Sequence, residues 1–238
     1  MDNAKIQIET NEKFTIEEEE DWFESLTCGL LVQNREFHMS INPAMTSTRE
    51  IVTIKEDADF LCKCLLHPRC RAFKGTLYSY EGNEAMFSYE KPCGIPICSI
   101  CRPEFDVFNH EQRKIGTIKN ECTICGMTMH ILDHSGQALY TISGTMLTPG
   151  FCCEPTCGSC FPISFNISDD RKSGTTISQF KKESRSLFLE CCLNADKYVI
   201  QMPSQMNYHE RILLAVAIHE MNMLWFERKS PCIFFNRQ

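Results

Sequence analysis

Three cysteines lie close together in a loop that contains two prolines, Pro92-Cys93-Gly94-Ile95-Pro96-Ile97-Cys98-Ser99-Ile100-Cys101. The other side chains of this loop are mostly apolar. Acyl transfer to sulfur needs accessible cysteines that already lie near a membrane. We therefore predict S-palmitoylation at Cys93, Cys98 and Cys101. The alternative is a buried turn in which the thiols act as small apolar side chains.

Two Cys-x-x-Cys pairs indicate a second use of thiols, as metal ligands. They are Cys122 with Cys125 and Cys157 with Cys160. Two such pairs close a tetrahedral zinc site when the fold brings them together. The 31 residues between the pairs exceed the usual spacing, but they include one full predicted hairpin, so the pairs could meet. A structural zinc ion is therefore an alternative prediction for these four residues.

Composition narrows the class of protein. The 238 residues include sixteen cysteines, and the first residues have neither the basic nor the apolar region of a signal peptide, so we expect reduced thiols. The net charge of −7 disfavours nucleic acid as a partner. The sequence has no glycine-rich phosphate loop, no His-Glu-x-x-His and no Gly-x-Ser-x-Gly. We expect a protein that is not a chemical enzyme.

Period-2 alternation between turn residues is the main signal for the fold. Four strand–turn–strand units, each typical of a hairpin, succeed one another without intervening helices. They lie at residues 77–87, 105–118, 127–142 and 163–177. Repeated hairpins predict an antiparallel barrel or sandwich.

The stretch from Asn207 to Phe226 breaks this pattern. Its centre is apolar on every side, and His219 and Glu220 interrupt it. A helix of this kind is either buried in protein or inserted in a bilayer, and the apolar part is short for a bilayer span. We predict a barrel closed around this helix, with a membrane-spanning helix as the alternative.

The acidic run from Glu17 to Asp21 sets the first expected boundary. Adjacent carboxylates repel one another and bury nothing, which predicts a solvated tail over residues 1–20. Residues 21–229 then form the domain. Residues 230–238 have no pattern and are expected to form a second tail.

Taken together, these features resemble the phospholipid scramblase family over about residues 20–229. The resemblance depends on the cysteine loop at 92–102, on Asn194-Ala195-Asp196, on Gln201-Met202-Pro203, and on the apolar helix that closes with Phe226-Glu227. It implies a mainly β, tubby-like fold: a closed antiparallel β-barrel around a buried hydrophobic C-terminal α-helix. It also implies ATP-independent, bidirectional movement of phospholipids at the plasma membrane, with palmitate on the cysteine loop.

The same resemblance implies a calcium loop that starts at residue 194. Its ligand positions 1, 3 and 12 are here Asn194, Asp196 and Gln205, and Val199 stands where a glycine would permit the sharp turn. With one carboxylate among these three positions, a hard cation would be held weakly. We expect a weakened or lost calcium response.

The partners expected are a phospholipid membrane and further proteins, but not proteins that read Pro-x-x-Pro motifs, because a proline-rich N-terminal extension is missing. The expected location is the cytoplasmic face of the plasma membrane, with a palmitoyl anchor, or a single pass if the C-terminal helix inserts. The alternative function is a non-transporting tubby-like module that binds anionic lipid or a protein partner at the membrane.

Overall fold

A computed structural model describes nine ranges of the chain, which contain all the elements discussed below. They are residues 2–19, 36–41, 49–58, 72–81, 83–92, 104–121, 126–145, 162–183 and 196–226.

Twelve strands and two α-helices make up these ranges. Helix α1 is Asp2–Thr10, and the strands follow as β1 Lys13–Glu18, β2 Glu36–Ile41, β3 Arg49–Asp57, β4 Phe73–Ser79, β5 Ala85–Lys91, β6 Glu104–Asn109, β7 Lys114–Glu121, β8 Gly126–Asp133, β9 Ala138–Thr145, β10 Ile163–Asp169, β11 Thr175–Lys182 and β12 Lys197–Gln201. A short 3₁₀ turn, Asp170–Lys172, joins β10 to β11. Helix α2, Tyr208–Met221, continues into a π-helical turn, Asn222–Phe226.

The strands form a closed antiparallel barrel. Each strand pairs with its neighbours in the chain, and β12 returns to pair with β1, for example at Phe14 and Ile200. All four predicted hairpins are present, as β4–β5, β6–β7, β8–β9 and β10–β11. The prediction of a barrel is confirmed, and the sandwich alternative is wrong.

Helix α2 fills the barrel. This enclosure explains why the helix is apolar on every side. From Glu210 to Met221 every residue is buried. Asn207 caps the helix: its side chain accepts from the backbone N–H of Glu210, and the Glu210 side chain accepts from the N–H of Asn207. Nineteen helical residues from Tyr208 to Phe226 extend about 28 Å. The prediction of a hydrophobic helix enclosed by strands is therefore confirmed.

Within the described ranges, no helix combines the length and the hydropathy required to cross a bilayer.

The N-terminal region differs from the predicted solvated tail. Residues 2–10 form α1, and β1 is a full strand of the barrel between β2 and β12. Charge repulsion in the acidic run is relieved because alternate carboxylates face opposite sides of the sheet: Glu17 lies opposite Lys197, and Glu18 is buried. The predicted tail at 230–238 lies outside the described residues.

Candidate functional site

The two ends of the barrel differ in what they carry. One end holds the starts of the even-numbered strands β2 to β12 and the ends of the odd-numbered ones, and we call it the cysteine end. The other end holds the hairpin turns of β4–β5, β6–β7, β8–β9 and β10–β11, and we call it the turn end. Helix α2 begins at the turn end and finishes at the cysteine end, because Glu210 contacts Arg171 and Asn222 contacts Glu18.

All sixteen cysteines lie outside the described residues. They include the predicted lipidation sites Cys93, Cys98 and Cys101 and the predicted zinc ligands Cys122, Cys125, Cys157 and Cys160, which therefore stay predictions. The described residues next to each cysteine-bearing segment nevertheless share one location, the cysteine end of the barrel. These flanking residues are Glu19 and Glu36, Ala58 and Ala72, Pro92 and Glu104, Glu121 and Gly126, Thr145 and Pro162, Glu183 and Asp196, and Phe226.

The structure separates two of the predicted calcium ligands. Asp196 lies at the cysteine end and is buried, and its Oδ1 is 2.9 Å from Nζ of Lys182. Gln205 lies past the opposite end of β12, where its Nε2 donates to Asp169 at 3.2 Å. The five residues of β12 between them span about 16 Å, and pairing with both neighbouring strands keeps them extended. Asn194 lies outside the described residues, so the weakened calcium response stays a prediction.

Near the cysteine end, the interior of the barrel is polar. Five strand residues there, together with Asp196 directly before β12, have buried polar or charged side chains, and the end of the helix adds three more. We call these nine residues the polar layer: Glu18, Glu56, Lys91, Asn120, Lys182, Asp196, His219, Glu220 and Asn222. Burial of this many ionisable groups requires that they be paired with one another or hydrogen-bonded.

A buried ion pair of this layer, between Lys182 and Asp196, lies against the end of the helix. Lys182 is 1% exposed, and its ammonium lies 2.9 Å from Asp196 and 4.3 Å from the ring centroid of Phe226. A cation over an aromatic face gains further attraction when water is excluded. Lys182 therefore joins β11, β12 and the π-helical turn.

A second link joins the helix to the wall through Asn222. Its Oδ1 accepts from the hydroxyl of Tyr198 at 2.7 Å, and its Nδ2 donates to Glu18 at 3.3 Å. The Asn222 side chain thus bonds to β12 and to β1 on either side. It sits at the first residue of the π-helical turn, a type of distortion that is frequent at functional sites.

A third link involves His219, the histidine of the layer. Nδ1 of His219 is 2.7 Å from the hydroxyl of Tyr89, and the ring of Phe37 packs edge-on at 4.3 Å. Burial raises the pKa of Tyr89 well above its ordinary value, and the carboxylates of Glu220 and Glu56 raise it further. Tyr89 consequently stays neutral over the whole physiological range.

At the turn end, a single arginine holds the start of α2. Nη1 of Arg171 donates to Glu210 at 2.8 Å, Nε donates to Asp169 at 3.1 Å, and the guanidinium stacks 4.7 Å from the ring centroid of Tyr140. The hydroxyl of Tyr140 donates to Glu210 at 2.8 Å. Burial and the hydrogen bond to Glu210 raise the pKa of Tyr140, and the hydrogen bond to Asp169 raises the pKa of Arg171.

A second arginine fastens α1 across this end. Arg211 is 2% exposed; its Nη1 donates to the carbonyl of Ile8 at 2.6 Å and also to that of Asn11, and its Nε donates to the carbonyl of Met206 at 3.1 Å. The turn end is thus closed by hydrogen bonds from the helix itself.

Sequence reasoning missed the polar layer, although part of its signal was visible. Glu56 lies two residues after buried Ile54 on β3, and Lys91 lies two residues after buried Tyr89 on β5. Alternation therefore predicts that both side chains face inward. The helix residues of the same layer, His219 and Glu220, are visible in the sequence only as an interruption of the apolar run.

A family model described as Scramblase matches residues 7–228, nearly the whole chain. No match to this chain was found among curated proteins or among solved structures.

Proposed function

The chain belongs to the scramblase family, and on that premise we propose that it moves phospholipids between the two leaflets of the plasma membrane, in both directions and without ATP. The observation that carries this proposal is the length of the family match, residues 7–228, which includes the barrel and the enclosed helix. The family implies an interaction with membrane phospholipid.

The distribution of cysteines supports a defined orientation on the membrane. Every cysteine-bearing segment joins the barrel at the cysteine end, so acyl chains on Cys93, Cys98 and Cys101 would hold that end against the bilayer. A single acyl chain binds a membrane marginally and reversibly, whereas two or three give stable attachment. Covalent palmitate on this loop is therefore part of the proposal.

In this orientation the polar layer would be the part of the interior closest to the headgroups. Phospholipid headgroups carry phosphate and, in zwitterionic lipids, a cationic group. The layer contains two lysines and four carboxylates, and these could exchange their present partners for a headgroup of either charge. Such an exchange would free the end of α2, because Asn222 and Phe226 contact residues of the layer.

We propose that calcium has little effect on this activity. Of the two predicted ligands within the described ranges, Asp196 is engaged by Lys182, and Gln205 hydrogen-bonds to Asp169 beyond the opposite end of β12. A structural zinc ion on Cys122, Cys125, Cys157 and Cys160 is retained as a separate proposal for the cysteine end.

Leaflet exchange of a fluorescent phospholipid in liposomes is the direct test. Purified, enzymatically palmitoylated protein should accelerate lipid exchange above the rate in protein-free vesicles. Calcium at about 1 mM should change this rate by less than about twofold. This concentration is roughly that at which the weakest protein calcium sites bind the ion. Replacing Cys93, Cys98 and Cys101 by alanine should abolish membrane attachment and exchange together. The matched control replaces Cys62, Cys64 and Cys70, whose segment connects β3 and β4 and is flanked by residues at the same end of the barrel.

A second function is favoured by one observation, the filled interior. Buried side chains of α2 occupy the inside of a closed wall, which leaves a bound lipid the outer surface of the barrel. We therefore also consider a non-transporting module that docks on anionic lipid or on a protein partner. Attachment to vesicles without any leaflet exchange would support docking and contradict transport.

A further inference from the structure

A group of metal-ligand side chains lies on the outer surface of the barrel, on the opposite face of the sheet from the polar layer. In the ranges that the structure describes, one group of three such residues has all its ligand atoms within 4.8 Å of one another: Glu19, Glu36 and His38. Nε2 of His38 and Oε2 of Glu19 are 3.6 Å apart. Ligands at 2.0–2.2 Å from a tetrahedral ion are separated by roughly 3.4 Å, so this spacing accommodates a divalent ion between them.

The backbone holds these three residues on rigid elements. Glu36 and His38 alternate with the buried residues Phe37 and Met39 on β2, so both side chains face outward. Glu19 follows β1 directly, and its N–H donates to the carbonyl of Glu36 at 2.9 Å. Antiparallel pairing therefore continues through the group, and the three side chains share one face of two hydrogen-bonded strands.

An independent feature of β3 orients the histidine. On this strand the even-numbered residues Val52, Ile54 and Glu56 are buried, so Glu50 would also face inward if the alternation continued. A β-bulge in the pairing with β2 changes the register between Met39 and Ser40 and turns Glu50 outward. Its Oε2 then lies 3.3 Å from Nδ1 of His38.

Glu50 Oε2 and Nδ1 of His38 are 3.3 Å apart without forming a hydrogen bond, which leaves this carboxylate close enough to pair with the second ring nitrogen of a ligating imidazole. A ligating histidine donates its second ring N–H to a carboxylate, which fixes the tautomer and raises the basicity of the ligating nitrogen. With the ring proton on Nδ1, the lone pair of Nε2, which lies 3.6 Å from Oε2 of Glu19, would be available to a metal ion. We propose that Glu19, Glu36 and His38 bind a divalent transition-metal ion, with Glu50 as the residue that positions His38.

The ligand set selects among cations. One imidazole nitrogen with two carboxylates suits Mn²⁺, Fe²⁺, Co²⁺ or Zn²⁺, and it is unsuited to Ca²⁺, which prefers oxygen ligands in greater number. Nζ of Lys55 lies 2.9 Å from Oε1 of Glu36 and competes with a cation for this carboxylate. Loss of the Lys55 charge should therefore strengthen metal binding. An ion-pair cluster without a metal predicts no such effect.

Manganese is the appropriate probe, because sixteen thiols would compete for zinc. Full-length protein would be titrated with Mn²⁺ and the free ion followed by electron paramagnetic resonance. We expect Glu19→Gln and His38→Ala to weaken one Mn²⁺ site at least about tenfold, since each removes a ligand, and Glu50→Gln to weaken it about tenfold, since outer-shell partners contribute 10–100-fold. Lys55→Met should tighten it severalfold.

The control is His130, which also faces outward between two strands. It contacts Glu121 at 3.1 Å and Thr141 at 2.9 Å, and the described residues place no second carboxylate in a ligand group with it. His130→Ala should leave Mn²⁺ binding unchanged. Paramagnetic broadening of the His38 imidazole signals provides a readout that does not depend on any variant. The proposal is wrong if the Glu19→Gln and His38→Ala proteins bind Mn²⁺ as the wild type does, or if Mn²⁺ leaves the His38 signals sharp.

Discussion

The two ends of the barrel are closed by different kinds of residues and contacts. At the turn end, short hairpin turns carry every positive backbone φ angle in the described ranges, at Asn83, Gln112, Gly136, Ser173 and Gly174. Local hydrogen bonds satisfy these turns, as at Asn109, whose side chain accepts from the N–H groups two and four residues later. The cysteine end instead holds six of the nine buried charged side chains in the described residues, and its strand ends border the cysteine-bearing segments.

This difference implies that the turn end is fixed in one arrangement, whereas the cysteine end can change its contacts. Tight turns and helix caps are fixed by local chemistry and have one low-energy arrangement. Buried charged groups are fixed by their partners, and a new partner of the same chemistry can replace the old one. We infer that the turn end anchors α2, while the cysteine end is where the interior can respond to a ligand. Substitutions at the two ends should therefore differ in their effects on stability and on lipid exchange.

The largest effect is expected from breaking the buried ion pair of the cysteine end. Lys182→Met leaves the Asp196 carboxylate buried without its cation, which should lower the free energy of unfolding by about 3–5 kcal/mol. The measurement is urea unfolding in the presence of a thiol reductant. Lys181→Met is the matched control, because the neighbouring lysine is exposed and should cost less than about 0.5 kcal/mol.

A double variant tests whether this pair is needed for the fold. Lys182→Met with Asp196→Leu replaces both charges by apolar groups and should recover most of the lost stability. If the double variant recovers stability but loses lipid exchange, the pair is retained for function. If the single variant already has wild-type stability, the pair contributes nothing to closure and the contrast between the ends fails.

A smaller effect is expected from the corresponding change at the turn end. Arg171→Gln removes the cation shared by Asp169 and Glu210, but the arginine side chain is 37% exposed, so water can partly replace it. We expect a loss of about 2 kcal/mol, near the contribution of hydrogen bonds to charged groups. Lys172→Gln is the control, because Lys172 is more exposed and lies 3.9 Å from Asp169.

Lipid exchange sharpens this second test. Because the turn end is taken to anchor α2 without contacting lipid, Arg171→Gln should alter stability and leave the exchange rate per folded molecule near that of the wild type. A fall in exchange as large as that of Lys182→Met would show that both ends take part in transport, and the assignment of response to the cysteine end would then be wrong.

Much of the fold could be predicted from local patterns in the sequence. The errors of that prediction have physical causes. Period-2 alternation identified four hairpins and all-round apolarity identified the enclosed helix. Strand β1 was missed because the groups that stabilise its carboxylates are distant in sequence: Glu17 lies opposite Lys197, and Glu18 bonds to Asn222. A window along the chain shows only adjacent like charges there.

The polar layer could be predicted only in part for a related reason. Strand parity indicates that Glu56 and Lys91 face inward, but pairing across a closed barrel depends on the order of strands around it. The metal-ligand group was hidden in the same way, since Glu50 faces His38 only because of the bulge between β2 and β3. Neither the pairing of side chains across the barrel interior nor the bulge has a signature in a single sequence.

The smallest effect concerns the pH dependence of stability and tests the link between Tyr89 and His219. In the folded protein the pKa of Tyr89 is raised well above 10 by burial and by Glu220 and Glu56, whereas in the unfolded chain it is ordinary. The unfolded state therefore loses a proton that the folded state keeps, and stability falls as the pH rises above about 10. Below that pH the contribution of Tyr89 is fully present and constant.

Tyr89→Phe should remove part of this alkaline slope while costing about 1 kcal/mol at neutral pH, the value of one buried hydrogen bond. The measurement is urea unfolding between pH 8 and pH 11, compared with Tyr80→Phe, because Tyr80 is exposed and its removal should leave the slope unchanged. Tyrosines at both ends share the raised pKa, since burial raises that of Tyr208 at the turn end to about 12. A slope that survives in Tyr89→Phe would assign the alkaline sensitivity to the turn end, and the polar layer would then be less tightly buried than the contact of Tyr89 with His219 indicates.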